Sequence, residues 1–513
     1  MGSDVAAVAP RRARRWATAG VVSLVLLIAA GAAVARFADL TRQPGGLYPD
    51  EAAEGVTAQR ILADPTGYHP LFIAEDAGRE PLYAYLVTAA FAVASDTTVT
   101  LRGVSAFLGV LAVLALGLAL RRFGIGAALA GMAWAAGSVW MICVARDGFR
   151  NVLVPLVGAL ILAAVIAWSD RPSARHAALA GAAVGLGLWT YQPLKFAPVL
   201  VALWLWMLRR SDRPAYDALV ADVRWLIGGF LVVGGPMLAV ALIEPGNYFG
   251  RGAETSLFNV GNAHTSFVSH VLRTLGQFAF VGDPNGRHDV AGMALLSWPL
   301  VILAVTGVVC AWRRRRDPKY RLVLLGLVVF LVPPLLATEG SSPHFLRNLG
   351  LYPYVGAVVG IGATTAVTWF AHNWRRVGQA TGVALVVAAL AYGAALGAHA
   401  YFTRPVSDRY DAYTFALVSL AHAAAHGPRT AVIVDDYSVF DVQFLDAHNP
   451  PTVIPPGQRI TPGRFARIVA TSRADLRRAV GATLAARATV TAVDPRGHPV
   501  VVAVTPSPAP AGA

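Results

Sequence analysis

Arg11-Arg12-Ala13-Arg14-Arg15-Trp16 is followed by Ala17-Thr18-Ala19-Gly20-Val21-Val22-Ser23-Leu24-Val25-Leu26-Leu27-Ile28-Ala29-Ala30-Gly31-Ala32-Ala33-Val34-Ala35, a run without a single charge. That length is close to the ~20 apolar residues a helix needs to cross a bilayer. Arginines ahead of such a run place its near end in the cytoplasm. The pattern resembles a signal peptide. The run is too long for one, however, and no small-x-small cleavage site precedes a soluble mature domain, so it reads as an uncleaved first span.

Working outward, Val104–Leu120 and Ala380–Ala398 repeat the pattern. Of the 513 residues, 56% are hydrophobic and 14% charged, where an ordinary soluble chain is about one quarter charged. The chain therefore reads as a polytopic α-helical membrane protein with lipid for solvent. Its net charge of +14 does not indicate nucleic acid, because the basic residues sit in short clusters between spans, as positive-inside sorting produces. Cys143 and Cys310 both lie in apolar stretches and read as packing residues, not a disulfide.

Alternating the basic clusters gives about eleven spans and a cytoplasmic N-terminal segment, 1–16. The first span runs outward to Phe37. Val104–Leu120, Ile125–Val144, Val152–Trp168, Ala177–Tyr191, Phe196–Leu208, Trp225–Ile243, Leu295–Trp312, Leu322–Ala337, Leu349–Phe370 and Gln379–His399 follow in turn. The transmembrane domain is then 17–402, with external loops at 38–102, 244–290 and 338–348. Pro81–Ala94 is apolar but short, which suits a re-entrant or interfacial helix. Counting it as a span would move every later basic cluster to the wrong side. Residues 403–504 read as a small extracytoplasmic α/β domain: a strand at Thr430–Asp435, a helix at Ala474–Ala486 with Arg473, Arg477 and Arg478 on one side, and a hairpin from Thr489–Val493 and Val500–Thr505. The Pro/Ala-rich tail, 505–513, reads as disordered.

The unusual polar residues fall in the external loops. Leu47-Tyr48-Pro49-Asp50-Glu51-Ala52-Ala53-Glu54 and Glu75-Asp76-Ala77-Gly78-Arg79-Glu80-Pro81-Leu82-Tyr83 bracket one loop at the membrane surface. Asp50 suits a helix N-cap and also a general base, since a carboxylate in a low-dielectric cleft can take a proton from a hydroxyl or amine. Arg79 suits a surface ion pair or, through its guanidinium fork, a lipid phosphate. Arg146, Asp147 and Arg150 cluster at another rim, as do His344 and Arg347; Lys195 is an interfacial anchor or joins them. His264, His270, Asp283, His288 and Asp289 make a metal site conceivable, although their spacing matches no recognised ligand pattern. Asp435, Asp436 and Asp441 read as a strand-end turn.

These residues have a family likeness. Tyr48-Pro49-Asp50-Glu51, then Gly78-Arg79-Glu80-Pro81-Leu82-Tyr83-Ala84-Tyr85-Leu86, then Leu101-Arg102-Gly103-Val104-Ser105-Ala106-Phe107-Leu108-Gly109 ending in Arg121-Arg122-Phe123-Gly124, resemble glycosyltransferase family 39 of the GT-C class. This class includes protein O-mannosyltransferases and lipid A aminoarabinose transferases. Gly282-Asp283-Pro284-Asn285-Gly286-Arg287-His288 and Pro343-His344-Phe345-Leu346-Arg347 add to it, and the likeness covers about Leu40–Tyr354. It implies a GT-C-like fold, a polyprenyl-phosphate-linked sugar as donor, and inverting transfer on the outer face of the cytoplasmic membrane to a glycan, lipid or protein. It implies Asp50 as base with Glu51 beside it, and Arg79, His344 and Arg347 on the donor phosphate; Arg150, from its own rim cluster, is a further candidate for that phosphate. Glu80, Tyr83, Arg146, Asp147 and Lys195 are further candidates for substrate contact. The aminoarabinose enzymes carry a Glu-Lys-Pro-Pro pattern whose glutamate can bind a metal. That position is Gly78 here, so no metal ligand is assigned, although a divalent ion stays possible as a cofactor.

Three other readings remain open. A lipid-linked-glycan flippase or transporter would place ionisable residues mid-membrane, often in two related halves, and neither pattern is evident. A membrane scaffold leaves the acidic loop unexplained. An oligosaccharide polymerase or ligase would use the same lipid carrier.

Overall fold

A computed structural model describes residues 11–75, 78–259, 266–290, 292–337, 342–404, 409–425 and 429–506. Asp76, His264 and the tail from 507 lie outside the described residues, as do 338–341 of the late loop.

Among the described residues seven helices are long and apolar enough to cross a membrane: Thr18–Phe37, Thr98–Phe123, Arg150–Asp170, Val223–Ile243, Pro318–Leu336, Leu349–Trp374 and Val377–Thr403. An eighth span is formed if Ile125–Gly137 and Val139–Arg146, bent by 60° at Ser138, count as one. All eleven expected segments are helical, but the count of eleven spans is not reached. Ala174–Gly187, Ala197–Ser211 and Trp298–Arg313 have 14, 15 and 16 residues. At 1.5 Å per residue they fall short of the ~30 Å hydrocarbon core.

Thr98–Phe123 and Arg150–Asp170 form the centre, 61% and 67% buried, while Thr18–Phe37 is only 6% buried and presents its leucines outward. Small residues set the closest approaches. A Cβ on Gly181 would lie 1.9 Å from the Leu226 carbonyl oxygen, and one on Gly307 would lie 1.8 Å from that of Val358. Membrane helices pack through such small residues because lipid supplies no hydrophobic drive between them. Helical structure runs unbroken from Tyr352 to Thr403, yet a Cβ on Gly382 would sit 3.0 Å from the Val367 Cα. Residues fifteen apart cannot meet along a straight helix, so the run folds back on itself near 374–377 as two antiparallel spans. Leu82–Phe91 is ten residues long, too short to span, and buries Tyr83, Ala84, Val87 and Phe91. Cys143 and Cys310 are both free thiols.

The C-terminal domain is a five-stranded sheet: β1 (Thr430–Ile433), β2 (Thr452–Ile454), β3 (Arg467–Ala470), β4 (Thr489–Val493) and β5 (Pro499–Val504), in the order β2-β1-β3-β5-β4. β1 pairs parallel with β2 and β3; β5 pairs antiparallel with β3 and β4. β1 alternates its faces. Ala431 and Ile433 pack with Leu476 and Ala479, and Val432 packs with Leu417, Leu420 and Val442. The layer carrying Val439–Leu445 faces the membrane body, and that helix lies against Pro49–Ala63.

Candidate functional site

Two helices and two loops build the site around Asp50. Pro49–Ala63 begins with Pro49 at its first position, and Glu51 reaches back to the Tyr48 amide at 3.2 Å, so the helix start is capped by Glu51, not by Asp50. This frees the Asp50 carboxylate. Its Oδ2 pairs with Arg287 Nη1 at 3.2 Å and its Oδ1 accepts the Tyr437 hydroxyl at 2.7 Å. Burial pushes the Asp50 carboxyl up, but Arg287 and the Tyr437 hydroxyl outweigh it and hold the group below its ordinary value. The Arg287 guanidinium also lies 3.5 Å from the Tyr48 ring centroid.

Glu51 is fully engaged. Arg102 grips it with Nε to Oε1 at 3.0 Å and Nη2 to Oε2 at 2.8 Å, and the Gly148 amide donates to Oε1 at 2.6 Å. Beside it runs a buried chain of ions. Arg79 Nη1 lies 3.7 Å from Glu54 Oε2, and Arg150 Nη1 lies 2.9 Å from Glu54 Oε1. Arg150 Nε is 3.4 Å from Glu80 Oε2, and Lys195 Nζ is 3.2 Å from Glu80 Oε1. Exposure separates these carboxylates. The Asp50 side chain is 19% exposed, and those of Glu51, Glu54 and Glu80 are 1% or less. Among the cations, Lys195 at 12%, Arg287 at 8% and Arg150 at 6% are reachable, while Arg79 is not.

The expected site residues therefore divide. Asp50, Glu80, Arg150 and Lys195 come together. Arg79 is neither a surface ion pair nor a snorkelling side chain. It is buried, donates to Thr57 Oγ1 at 3.2 Å, and lies 5.9 Å beneath the Phe440 ring. Tyr83 is tied to Ser105 Oγ at 2.7 Å and to the Leu101 carbonyl, inside the helix packing. Arg146 is spent on structure: its guanidinium donates to the carbonyls of Ala35, Arg36, Ala38 and Gln43. Asp147 is buried, and its Oδ1 accepts the Tyr413 hydroxyl. Arg347 donates to the Ala337 carbonyl at 2.9 Å. Burial first, and Arg347 second, hold the His344 imidazole well below its usual range, so at neutral pH it contributes a neutral ring.

The reading of Asp435, Asp436 and Asp441 as a strand-end turn holds for Asp435, whose carboxylate accepts the amides of Tyr437 and Ser438. It fails for Asp441, which is buried on the helix that faces the site.

Arg102, Arg287, Tyr413 and Tyr437 were not anticipated. Arg102 had a signal, since an arginine inside an apolar run needs a partner. Arg287 stood within the quoted Gly282–His288 stretch. Nothing local marks Tyr437.

Two places test for a metal. Gly78 has φ +85°, and a Cβ there would meet the Asn247 carbonyl at 2.5 Å, so no side chain fits where the aminoarabinose branch has glutamate. Among the described residues Asp283, His288 and His344 bring donor atoms within 4.8 Å of one another. Both His288 nitrogens are already engaged, however. Nδ1 lies 3.0 Å from Asp283 Oδ2, and Nε2 lies 3.2 Å from Arg287 Nη2. Arginine only donates, so Nε2 must accept and Nδ1 carries the proton. Asp283 and His288 are thus a hydrogen-bonded support for Arg287, so as arranged His288 offers no free nitrogen to an ion. His344 stacks on the His288 ring with centroids 4.7 Å apart, its buried Nδ1 without a hydrogen-bond partner among the described residues. His270 is elsewhere, 3.0 Å from the Pro334 carbonyl.

The architecture is shared with solved membrane proteins. ArnT from Cupriavidus metallidurans, solved bound to undecaprenyl phosphate, matches with a TM-score of 0.62 at 16% identity, over 95% of this chain and 98% of that one. The archaeal oligosaccharyltransferase AglB from Archaeoglobus fulgidus, in complex with an inhibitory peptide and a dolichol-phosphate, matches with a TM-score of 0.56 at 14% identity, over 91% and 72%. The chain thus has the GT-C fold of a multi-pass membrane protein, and the ArnT match reaches well beyond Leu40–Tyr354. No protein-family model and no curated protein matches the sequence.

Proposed function

We propose that the chain is a membrane glycosyltransferase that moves a sugar from a polyprenyl-phosphate donor to an acceptor, with inversion, on the face that carries the C-terminal domain. On this reading that face is the outer side of the cytoplasmic membrane. One observation carries the proposal: among the described residues of the cluster Asp50 is the sole partly exposed carboxylate, where five cations (Arg79, Arg102, Arg150, Lys195 and Arg287) face the four carboxylates of Asp50, Glu51, Glu54 and Glu80. A reachable base beside surplus positive charge suits a nucleophile on one side and an anionic leaving group on the other. The lipid phosphates in the ArnT and AglB structures support the same donor class.

Asp50 takes the proton of the acceptor nucleophile, whose lone pair attacks the anomeric carbon. The bond from that carbon to the phosphate oxygen breaks, and polyprenyl phosphate leaves with the electron pair. Arg150, Lys195 and Arg287 meet the charge that develops. Glu51, Glu54 and Arg79 hold the helix and the cations in place. The test is transfer by purified protein in defined lipid, from a panel of labelled polyprenyl-phosphate sugars to envelope extracts. Asp50→Asn should lower transfer about 10²–10⁴-fold. Full activity of that variant removes Asp50 as the base, and translocation of the donor without bond cleavage favours a flippase.

A further inference from the structure

The base is not idle in this structure. The oxygen of Asp50 that Arg287 leaves free is filled by the Tyr437 hydroxyl at 2.7 Å. That hydroxyl is presented by a built element. Asp435 caps the turn by accepting the Tyr437 and Ser438 amides at 3.1 and 2.8 Å, which fixes the start of Val439–Leu445. Along that helix Phe440 covers Arg79. Phe444 stacks on Phe91 with ring centroids 6.2 Å apart and fills the space over Gly55, where a Cβ would lie 2.4 Å from its ring. Gln59 adds a hydrogen bond to the Phe444 carbonyl at 3.3 Å. The same helix buries Asp441 with neither carboxylate oxygen hydrogen-bonded to another of the described residues, and a buried polar group left in that state opposes closure. The cover is thus held by Tyr437 and two phenylalanines and strained by one carboxyl.

The geometry points to Tyr437 as an internal stand-in for the acceptor: its hydroxyl holds the place of a neutral hydroxyl nucleophile, and the acceptor must lift Val439–Leu445 to take that place. The chemistry of the place narrows the acceptor. Asp50 accepts one hydrogen there from an uncharged O–H, and the neighbouring guanidinium of Arg287 repels an ammonium group. A hydroxyl of a glycan, lipid or protein side chain fits, and a protonated amine does not. This inference rests on Asp50 being the base.

The experiment uses the full chain in phosphatidylcholine nanodiscs with two readouts. One is hydrogen exchange of the backbone at 437–445. The other is turnover of the polyprenyl-phosphate sugar panel with water, the smallest hydroxyl, as acceptor. Tyr437→Phe should raise exchange at 437–445 by about five- to tenfold, the loss of one hydrogen bond; Phe444→Ala should raise it further, the loss of a buried aromatic side chain; and Asp441→Leu, which removes the unpaired polar group, should lower it. Tyr437→Phe should also raise hydrolysis of whichever donor is turned over. Unchanged exchange in both Tyr437→Phe and Phe444→Ala overturns the cover. Raised exchange with reduced hydrolysis overturns the stand-in, because Tyr437 would then serve the reaction. Raised exchange with no donor turned over by any variant, with water or with envelope extract as acceptor, keeps the cover and instead sinks the glycosyl-transfer reading.

Discussion

Tyr413 and Asp147 stand 266 residues apart, and the hydroxyl of the first donates to Oδ1 of the second at 2.6 Å. Burial pushes the Asp147 carboxyl from 3.8 up to about 8, and the nearby Glu51 charge adds to the rise. The folded protein therefore holds a proton here that the unfolded chain releases above about pH 4. Stability from this group falls as pH rises from about 4 to about 8 and is level beyond. Asp147→Asn keeps an oxygen for Tyr413 but cannot ionise. Thermal unfolding in detergent should show the variant gaining on the wild type between pH 5 and pH 8, by on the order of 2–5 kcal/mol. A gain that does not vary with pH would refute the assignment.

Glu51 and Arg102 form a buried two-pronged pair. Glu51→Gln strands the Arg102 charge and should cost about 3–5 kcal/mol. Pairing it with Arg102→Met should recover much of that loss in the same unfolding assay. Additive costs would mean that the two residues act separately.

Gly55 touches the Phe444 ring. Gly55→Val pushes that ring away, and overpacking of this kind costs about 1–3 kcal/mol. Limited proteolysis should then cut the C-terminal domain faster than in the wild type. Adding Phe444→Leu should restore resistance.

Arg287 lowers the Asp50 carboxyl. Arg287→Gln removes that charge, so Asp50 takes up a proton at higher pH. The acid limb of the rate–pH profile should move upward, with transfer reduced about 10–100-fold as one stabilising cation is lost. An unmoved acid limb would detach Arg287 from the base.

The apolar helices, though not their number as spans, the short Leu82–Phe91 helix and the Asp50 loop could be read from local pattern, because apolar run length and charge placement are properties of neighbouring residues. The hidden part was the sorting of the carboxylates. Glu51 reads as a catalytic residue supporting Asp50, yet Arg102 and Gly148 take its oxygens, and both reach it across the fold. Arg79 looked like the phosphate ligand until Phe440, more than three hundred residues later, covered it. Tyr413 and Tyr437 gave no warning for the same reason: a tyrosine in a polar segment carries no trace of the carboxylate it will meet. β2 and β3, short strands of three and four residues, were equally silent.

The contacts of Tyr413, Tyr437, Phe440 and Phe444 with much earlier residues have a consequence for biosynthesis. A chain made from its N-terminus inserts Pro49–Ala63 and the Asp147 turn long before those four side chains leave the ribosome. Asp50, Gly55 and Asp147 therefore spend the whole of membrane insertion without a roof, and a stretch translated only after the spans is the one that shuts the cleft.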